Sequence, residues 1–335
     1  MPTTVLNPTA GDVHVNTPLT NFSQMYLQSE DAFVAMDAWP NLPSQMQSDL
    51  YYEFDRADFY RDEAQERADG TESAGSGFRL ATNPFFTRVW ALHKDVTDRQ
   101  RINQDTPVRL DQSATRFVTH KLLIRRERIM TTNLFSANLW FNGTSSASAG
   151  QDVDWSDDAS DPIKDIRDAI RGVHQLTGYR PNKALIGRET YDTLLDNDAI
   201  LSRITGGATT AQPAQVMRQL LAALFELDTI YVMDSVVNTA TKTNTDTPLN
   251  DDESNSFIGG DQMLVYYAPD GVGLEEPTAG MQFSWTGLLG NTGNGMRIKR
   301  FRMEAREADR VEGQMAFDFK LTSGALGHLF ISASS

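Results

Sequence analysis

Hydrophobic and polar positions change rhythm repeatedly along the chain, and each rhythm predicts a different element. Residues 1–49 are rich in Pro, Thr, Asn and Ser, with Phe22, Met25, Tyr26 and Leu27 giving one short helical candidate. That composition reads as an arm. The next stretch, "YYEFDRADFYRDEAQERADGTESAGSGFRL" at residues 51–80, alternates Tyr52 and Phe54 with charge before reaching the turn chemistry of "DGTESAGSG". On the return, Val89, Ala91 and His93 alternate again, which predicts a long hairpin over residues 50–95. Its limbs are too polar to make a core alone. A two-stranded ribbon is marginal in water, so this one should lie on something.

Between Arg101 and Asn142 there is no glycine and one proline, Pro107. Asp111 is a candidate N-cap, and Ala114, Phe117, Val118, Leu122 and Ile129 then recur at near-helical spacing. The pattern predicts a helix over about 111–137, on the order of 40 Å long, with Phe117, Val118, Leu122 and Ile129 as its core face. Arg125, Arg126 and Arg128 would project on more than one side. The polar stretch 141–161 marks a boundary. Beyond it, Asp161 caps a helix with Pro162 at its first position, and Ile163, Ile166, Ile170 and Val173 run to a stop at Gly178. "NKALIG" reads as a buried strand, "ETYDTLLDN" as a helix, "QPAQVMRQLLAALF" as a helix starting near Pro213, and "TIYVMDSVV" as a strand. This is an α/β unit over residues 160–275.

The tail changes rhythm again. Arg300, Arg302, Glu304 and Arg306 alternate with Phe301, Met303 and Ala305; Val311, Met315, Phe317, Phe319 and Leu321 alternate with Glu312, Gln314, Asp318 and Lys320. Two long half-buried strands follow from this. Their partners must be each other and whatever returns from residues 85–140. The predicted class is therefore α+β, with one domain formed from 96–150 and 276–335 and the α/β unit inserted into it.

Composition narrows the chemistry. A formal net charge of −15 opposes binding to a duplex or an anionic membrane. The chain has no cysteine, so disulfides, thiolate metal sites and cysteine nucleophiles are excluded. The N-terminus lacks the basic start and apolar block of a signal peptide, and no run approaches the roughly 20 apolar residues of a membrane span. These point to a soluble protein made in a cytoplasm. Arg outnumbers Lys about threefold, which suits bidentate pairing at interfaces.

Few motifs carry catalytic chemistry. "QDVDWSDDASD" sets Asp152, Asp154, Ser156 and Asp157 almost as a calcium loop would, yet Asp157 stands where the loop glycine belongs and Ile163 where its last glutamate belongs. A solvated acidic linker and an adventitious cation site are the alternatives. "GLLGNTGNG", residues 287–295, lacks the Lys-Ser/Thr ending of a phosphate loop and reads as a loop. His14, His93, His120, His174 and His328 are scattered without metal-ligand spacing, and Ser76 in "AGSGF" is in the wrong frame for a nucleophile elbow. No catalytic residue, metal ligand or cofactor is predicted.

Three runs carry a resemblance: "YYEFDRADFYRDEAQERADGTESAGSGF" with "WALHKDV", then "DQSATRFVTHKLLIRRERI", then "IRGVHQLTGYRPNKALIGRETYDTLLDN". Taken in order, they resemble tailed-bacteriophage major capsid proteins of the Hong Kong 97 (HK97-like) fold. The resemblance implies an N-arm over 1–49, an extended loop over 50–95, a peripheral domain with a spine helix, and an axial domain over 160–275. It also implies self-assembly as hexamers and pentamers into an icosahedral head around double-stranded DNA, held without sequence specificity. A separate scaffolding protein, a portal and a decoration protein are the other implied partners, with no membrane; assembly would occur in the bacterial host cytoplasm and the product would be a virion capsid.

In that arrangement the extended loop lies across a neighbour. Phe54, Phe59 and Tyr60 would anchor it and Arg56, Arg61 and Arg67 would pair with the neighbour's carboxylates. The alternative is a solvated hairpin with intrachain packing. Residues 51–92 contain no lysine, so a lysine cross-link through this loop is excluded. Two rival functions remain: an encapsulin-like compartment shell, and a metal-dependent soluble enzyme using the 152–161 acidic run.

Overall fold

The computed structural model describes residues 27–103, 109–157, 159–205, 218–241, 253–271, 273, 276–289 and 296–334. The helical candidate at Phe22, Met25 and Tyr26, the residue Pro213 and most of the 287–295 glycine run lie outside these. The chain first gives β1 (Asn41–Ser44), β2 (Ser48–Phe54), α1 (Arg56–Phe59), β3 (Leu80–Phe86), β4 (Arg88–Thr97), α2 (Asp98–Ile102) and α3 (Leu110–Leu134). Next come β5 (Gln151–Asp152), α4 (Pro162–Thr177), β6 (Lys183–Gly187), α5 (Arg188–Asp196), α6 (Asp198–Thr205), α7 (Arg218–Phe225) and β7 (Thr229–Met233). The remainder is β8 (Val236–Asn238), β9 (Asn255–Phe257), β10 (Met263–Tyr266), β11 (Gly280–Trp285), α8 (Thr286–Leu289), β12 (Met296–Met303), β13 (Ala308–Leu321) and β14 (Gly327–Ile331).

Two five-stranded sheets organise these elements. In the first, the 14-residue β13 pairs antiparallel with β12, β11 and β4, and β1 adds parallel to β11. The predicted joining of first and last thirds is this β4–β13 pairing. In the second, the order is β5-β14-β10-β6-β7. Strand β14 was expected with the 276–335 peripheral segment, but its register against β10 carries it into the α/β unit. No local pattern could say which sheet it joins, because Gly327–Phe330 is buried on both sides and shows no polar-apolar alternation of faces.

The helix α4 forms as its sequence dictates. The Asp161 carboxylate accepts from the Lys164 N–H at 3.1 Å, Pro162 takes the first turn, and Gly178 closes the end at φ 71°. Ile163, Ile166, Ala169, Ile170 and Val173 turn inward, where most of them join the strands of the second sheet in one core.

The long helix α3 corrects two expectations. It begins at Leu110 with Arg109 before it and no side-chain cap; Asp111 instead pairs with Arg101 and Arg300. Its buried stripe is Ala114, Val118, Leu122, Arg126, Met130 and Leu134, spaced every four residues. Phe117, expected in that face, is 43% exposed. A residue next to Val118 lies about 100° round the helix, and the fourfold stripe leaves it on the flank. Val118 and Leu122 are buried as expected and Ile129 is packed at the core's edge. The helix lies close on β13 because Gly313 has no side chain: a Cβ there would sit 2.6 Å from Leu122 Cδ1 and 2.7 Å from Val118 Cγ1.

The end of the predicted arm is core rather than arm. Phe33, Val34, Ala35, Ala38 and Trp39 are buried. The Trp39 ring stacks on Tyr266 at 4.3 Å, and the Tyr266 hydroxyl donates to the Ala38 carbonyl at 2.6 Å. Trp39, Leu134, Leu264, Phe317 and Leu329 belong to one cluster, so both sheets share a core.

Candidate assembly surface

The hairpin is built from β2 and β3, registered from Ser48↔Phe86 to Phe54↔Leu80. Its return limb is split: β3 pairs with β2, whereas β4 leaves the hairpin for β13. Alternation sorts the ribbon into two faces. Tyr51 and Phe85 occupy one, and both stack on Phe283 of the first sheet, at 6.0 and 4.0 Å. This fixes the base of the hairpin to its own subunit. Leu50, Tyr52, Phe54 and Leu80 occupy the other face, and all are exposed.

Towards the tip, Phe54, Phe59 and Phe78 form a triangle with centroids 5.7–5.9 Å apart. Phe59 and Phe78 are more than half exposed, so the cluster is made but not covered. The tip is held across its neck by Arg79. The Arg79 guanidinium donates to both Asp58 carboxylate oxygens, at 2.9 and 3.0 Å, and also pairs with Asp55. That hydrogen bonding holds the Asp58 carboxyl below its ordinary range. Asp55 in turn caps α1 through the Ala57 N–H.

The remaining loop residues fall into different roles. Tyr60 reaches the second sheet's helix: its hydroxyl donates to the Thr177 carbonyl at the end of α4, with the ring over Gly178. Arg61 is 3.5 Å from Asp58, and Arg67 donates to the Thr71 carbonyl within the loop. Arg56 forms no ion pair among the described residues. Sequence reasoning missed Arg79 and Phe78, which stand in the Gly/Ser-rich limb where no periodicity marks them.

At the opposite end of the first sheet five arginines are engaged by carboxylates. Arg310 forks onto Asp95 at 2.7 and 2.8 Å, joined by Arg306 at 3.1 Å, and the pairing holds the Asp95 carboxyl down to about 2. Arg101 and Arg300 bridge Asp111 to Asp309, and Arg302 forks onto Asp98 at 2.6 Å. These pairs tie β4, α2, α3, β12 and β13 together.

The acidic run 152–161 turns its carboxylates onto its own backbone and side chains. Asp154 accepts from Ser156, Asp157 from the Ala159 N–H and Asp161 from Lys164. Among the described residues no three His, Asp or Glu side chains gather as a metal would require. No described helix is long and apolar enough to cross a membrane.

Comparison with known proteins bears on this architecture directly. The family described as phage major capsid protein E matches residues 143–290. A major capsid protein of Pseudomonas phage JBD67 is 32% identical over 127 residues, covering 38% of this chain and 39% of that protein. The match thus spans about two fifths of the curated relative. A phage-related protein from Bordetella bronchiseptica RB50 superposes with a TM-score of 0.63 at 15% identity, covering 92% of this chain and 94% of its own. The capsid protein of cyanophage P-SCSP1u superposes with a TM-score of 0.54 at 13% identity, covering 98% and 93%. With its hairpin, its long helix on β13 and a second sheet completed by the C-terminal β14, this protein has the HK97-like fold of these phage capsid structures.

Proposed function

We propose that the chain is the structural subunit of a phage head, assembling as hexamers and pentamers into an icosahedral shell around double-stranded DNA. One observation carries this reading. The hairpin is fixed to its own subunit at its base and through Tyr60 on α4, and leaves the Phe54–Phe59–Phe78 cluster and the Leu50–Tyr52–Leu80 face exposed, an apolar surface that a monomer gains nothing by presenting. A neighbouring copy would cover it. Phe54 and Phe59 serve as anchors and Arg56 as a cation for the neighbour, while Tyr60 doubles as the contact to α4. The unit over 160–275 would stand nearest the capsomer centre and the first sheet at its periphery. A separate scaffolding protein, a portal and a decoration protein complete the assembly, which takes place in the host cytoplasm. The subunit acts by contact and needs no catalytic group.

Electron microscopy of the expressed chain tests this. Closed shells are expected, and a discrete monomer or dimer that no concentration drives further would overturn the reading. An encapsulin-like shell shares the fold. The family match and the curated relative favour the phage head, and nucleic acid inside particles from infected cells separates the two.

A further inference from the structure

Residues 27–30 and the long helix α3 enclose a cleft of about 300 Å³. Leu27 and Glu30 line one side, and Thr115, Thr119, His120 and Leu123 of α3 line the other. Thr115, Thr119 and Leu123 recur every four residues beside the buried stripe, on the flank opposite Phe117. Burial and the neighbouring Lys121 hold the His120 imidazole below its ordinary range, so this floor carries no charge at neutral pH. The edge of the cleft is fixed in place. The Gln28 side-chain amide donates to the Val236 carbonyl at 2.6 Å and accepts from the Val236 N–H at 2.8 Å, copying the pairing of a strand beside β8. Phe33, buried, meets the His120 ring edge-on at 5.7 Å. Leu27 is thereby set at the cleft, 37% exposed, where residues 1–26 lead into the described chain.

The sequence that leads into Leu27 suits such a floor. Residues 1–26 contain no Lys, Arg or Glu and a single Asp, Asp12. Leu19, Phe22 and Tyr26 follow the i, i+3, i+7 spacing of one helical stripe, with Met25 beside it. On a helix that stripe spans about 10 Å, and the floor from Thr115 to Leu123 spans about 12 Å.

We propose that residues 19–26 dock in this cleft on α3 of their own chain, with Phe22, Met25 and Tyr26 covering Leu123 and the methyl groups of Thr115 and Thr119. These side chains lie within five residues of Leu27, so the tether gives them an effective concentration on the order of millimolar, which any other occupant must exceed. Docking turns the arm into a clamp: with Gln28 on Val236 and Phe33 on His120, one continuous segment joins β8 to α3. The proposal does not depend on shell formation.

Disulfide trapping tests it, because the chain has no cysteine and introduced thiols report without background. A bridge forms only where the two Cα atoms come within roughly 7 Å. In the unassembled full-length chain, Met25→Cys with Thr119→Cys should oxidise to an intramolecular bridge in most molecules. Met25→Cys with Arg128→Cys should not, since Arg128 lies beyond the cleft and on another side of the helix. A second measurement needs no bridge: maleimide labelling of Thr119→Cys should quicken roughly tenfold when Phe22→Ser and Tyr26→Ser are added. Disulfide-linked dimers would assign the cleft to the arm of a second copy and overturn the proposal. Equal bridging at both helix positions, or a labelling rate that ignores the two serine substitutions, overturns it as well.

Discussion

The Glu127 carboxylate receives the backbone N–H of Ala35 at 3.0 Å, beneath the long helix and out of reach of solvent. The neighbouring N–H of Val34 reaches the other oxygen at 3.3 Å. One acidic side chain thus satisfies two donors in a segment with no regular structure of its own and fastens residues 33–39 to α3. Arg126, Asp37 and the two N–H groups are what face it, and burial dominates: the Glu127 carboxyl is pushed up to about 7. Arg126, stacked 5.0 Å from the Phe317 ring, is lowered to about 10 by the same burial.

The burial of this carboxyl makes stability depend on pH. A folded-state value above the unfolded one means that the folded chain holds a proton the unfolded chain releases. The contribution is complete below the unfolded value of 4.5 and is lost as pH rises through about 7. His328 acts oppositely, since burial holds it to about 4 and its charging removes stability as pH falls below 6.5. Comparing wild type with Glu127→Gln isolates the first effect. In urea unfolding, wild type should lose up to about 3 kcal/mol relative to the variant between about pH 5 and about pH 8. A difference independent of pH would contradict the assignment.

The stripe on α3 predicts opposite outcomes for adjacent residues. Val118→Asp buries an unpaired charge and should abolish the cooperative melt, whereas Phe117→Asp should fold normally. Gly313→Ala should cost about 1–3 kcal/mol, because its methyl would press on Val118 and Leu122. Thermal melts of the three variants check this, and a destabilised Phe117→Asp with an intact Val118→Asp would reverse the facing.

Arg79 is expected to govern the loop and not the core. Arg79→Ala removes the fork onto Asp58 and the pair with Asp55 that close the neck of the tip. Limited proteolysis between residues 61 and 78 should quicken while the melting temperature stays unchanged. Cleavage at the wild-type rate would show that the neck does not depend on this residue.

Much of the fold was legible because its signals are local. Asp161, Pro162 and Gly178 announce both ends of α4, and the alternation at Val311–Leu321 announces β13 and its buried face. The misses arise where long-range packing decides. Phe33–Trp39 sits among polar neighbours, so its averaged composition hides a segment that stacks on Tyr266 far along the chain. Nothing in the local pattern marks Arg126 and Glu127 for burial, and only the course of α3 over β13 and Phe317 buries them. Phe117 was misplaced because heptad-like spacing and the fourfold stripe differ by one neighbour. Of the candidate surface, the aromatic limb Phe54–Tyr60 was legible, but the pairing of Arg61 and Arg67 within the loop was not.

The central claim is that the hairpin tip is completed by a neighbouring subunit, and deleting residues 63–77 tests it most directly. Because the base of the hairpin is fixed by Tyr51 and Phe85 on Phe283, the subunit should remain folded with an unchanged melt. Sedimentation should then find capsomers or monomers where wild type gives shells. Stable, closed shells from the deleted chain would contradict the account.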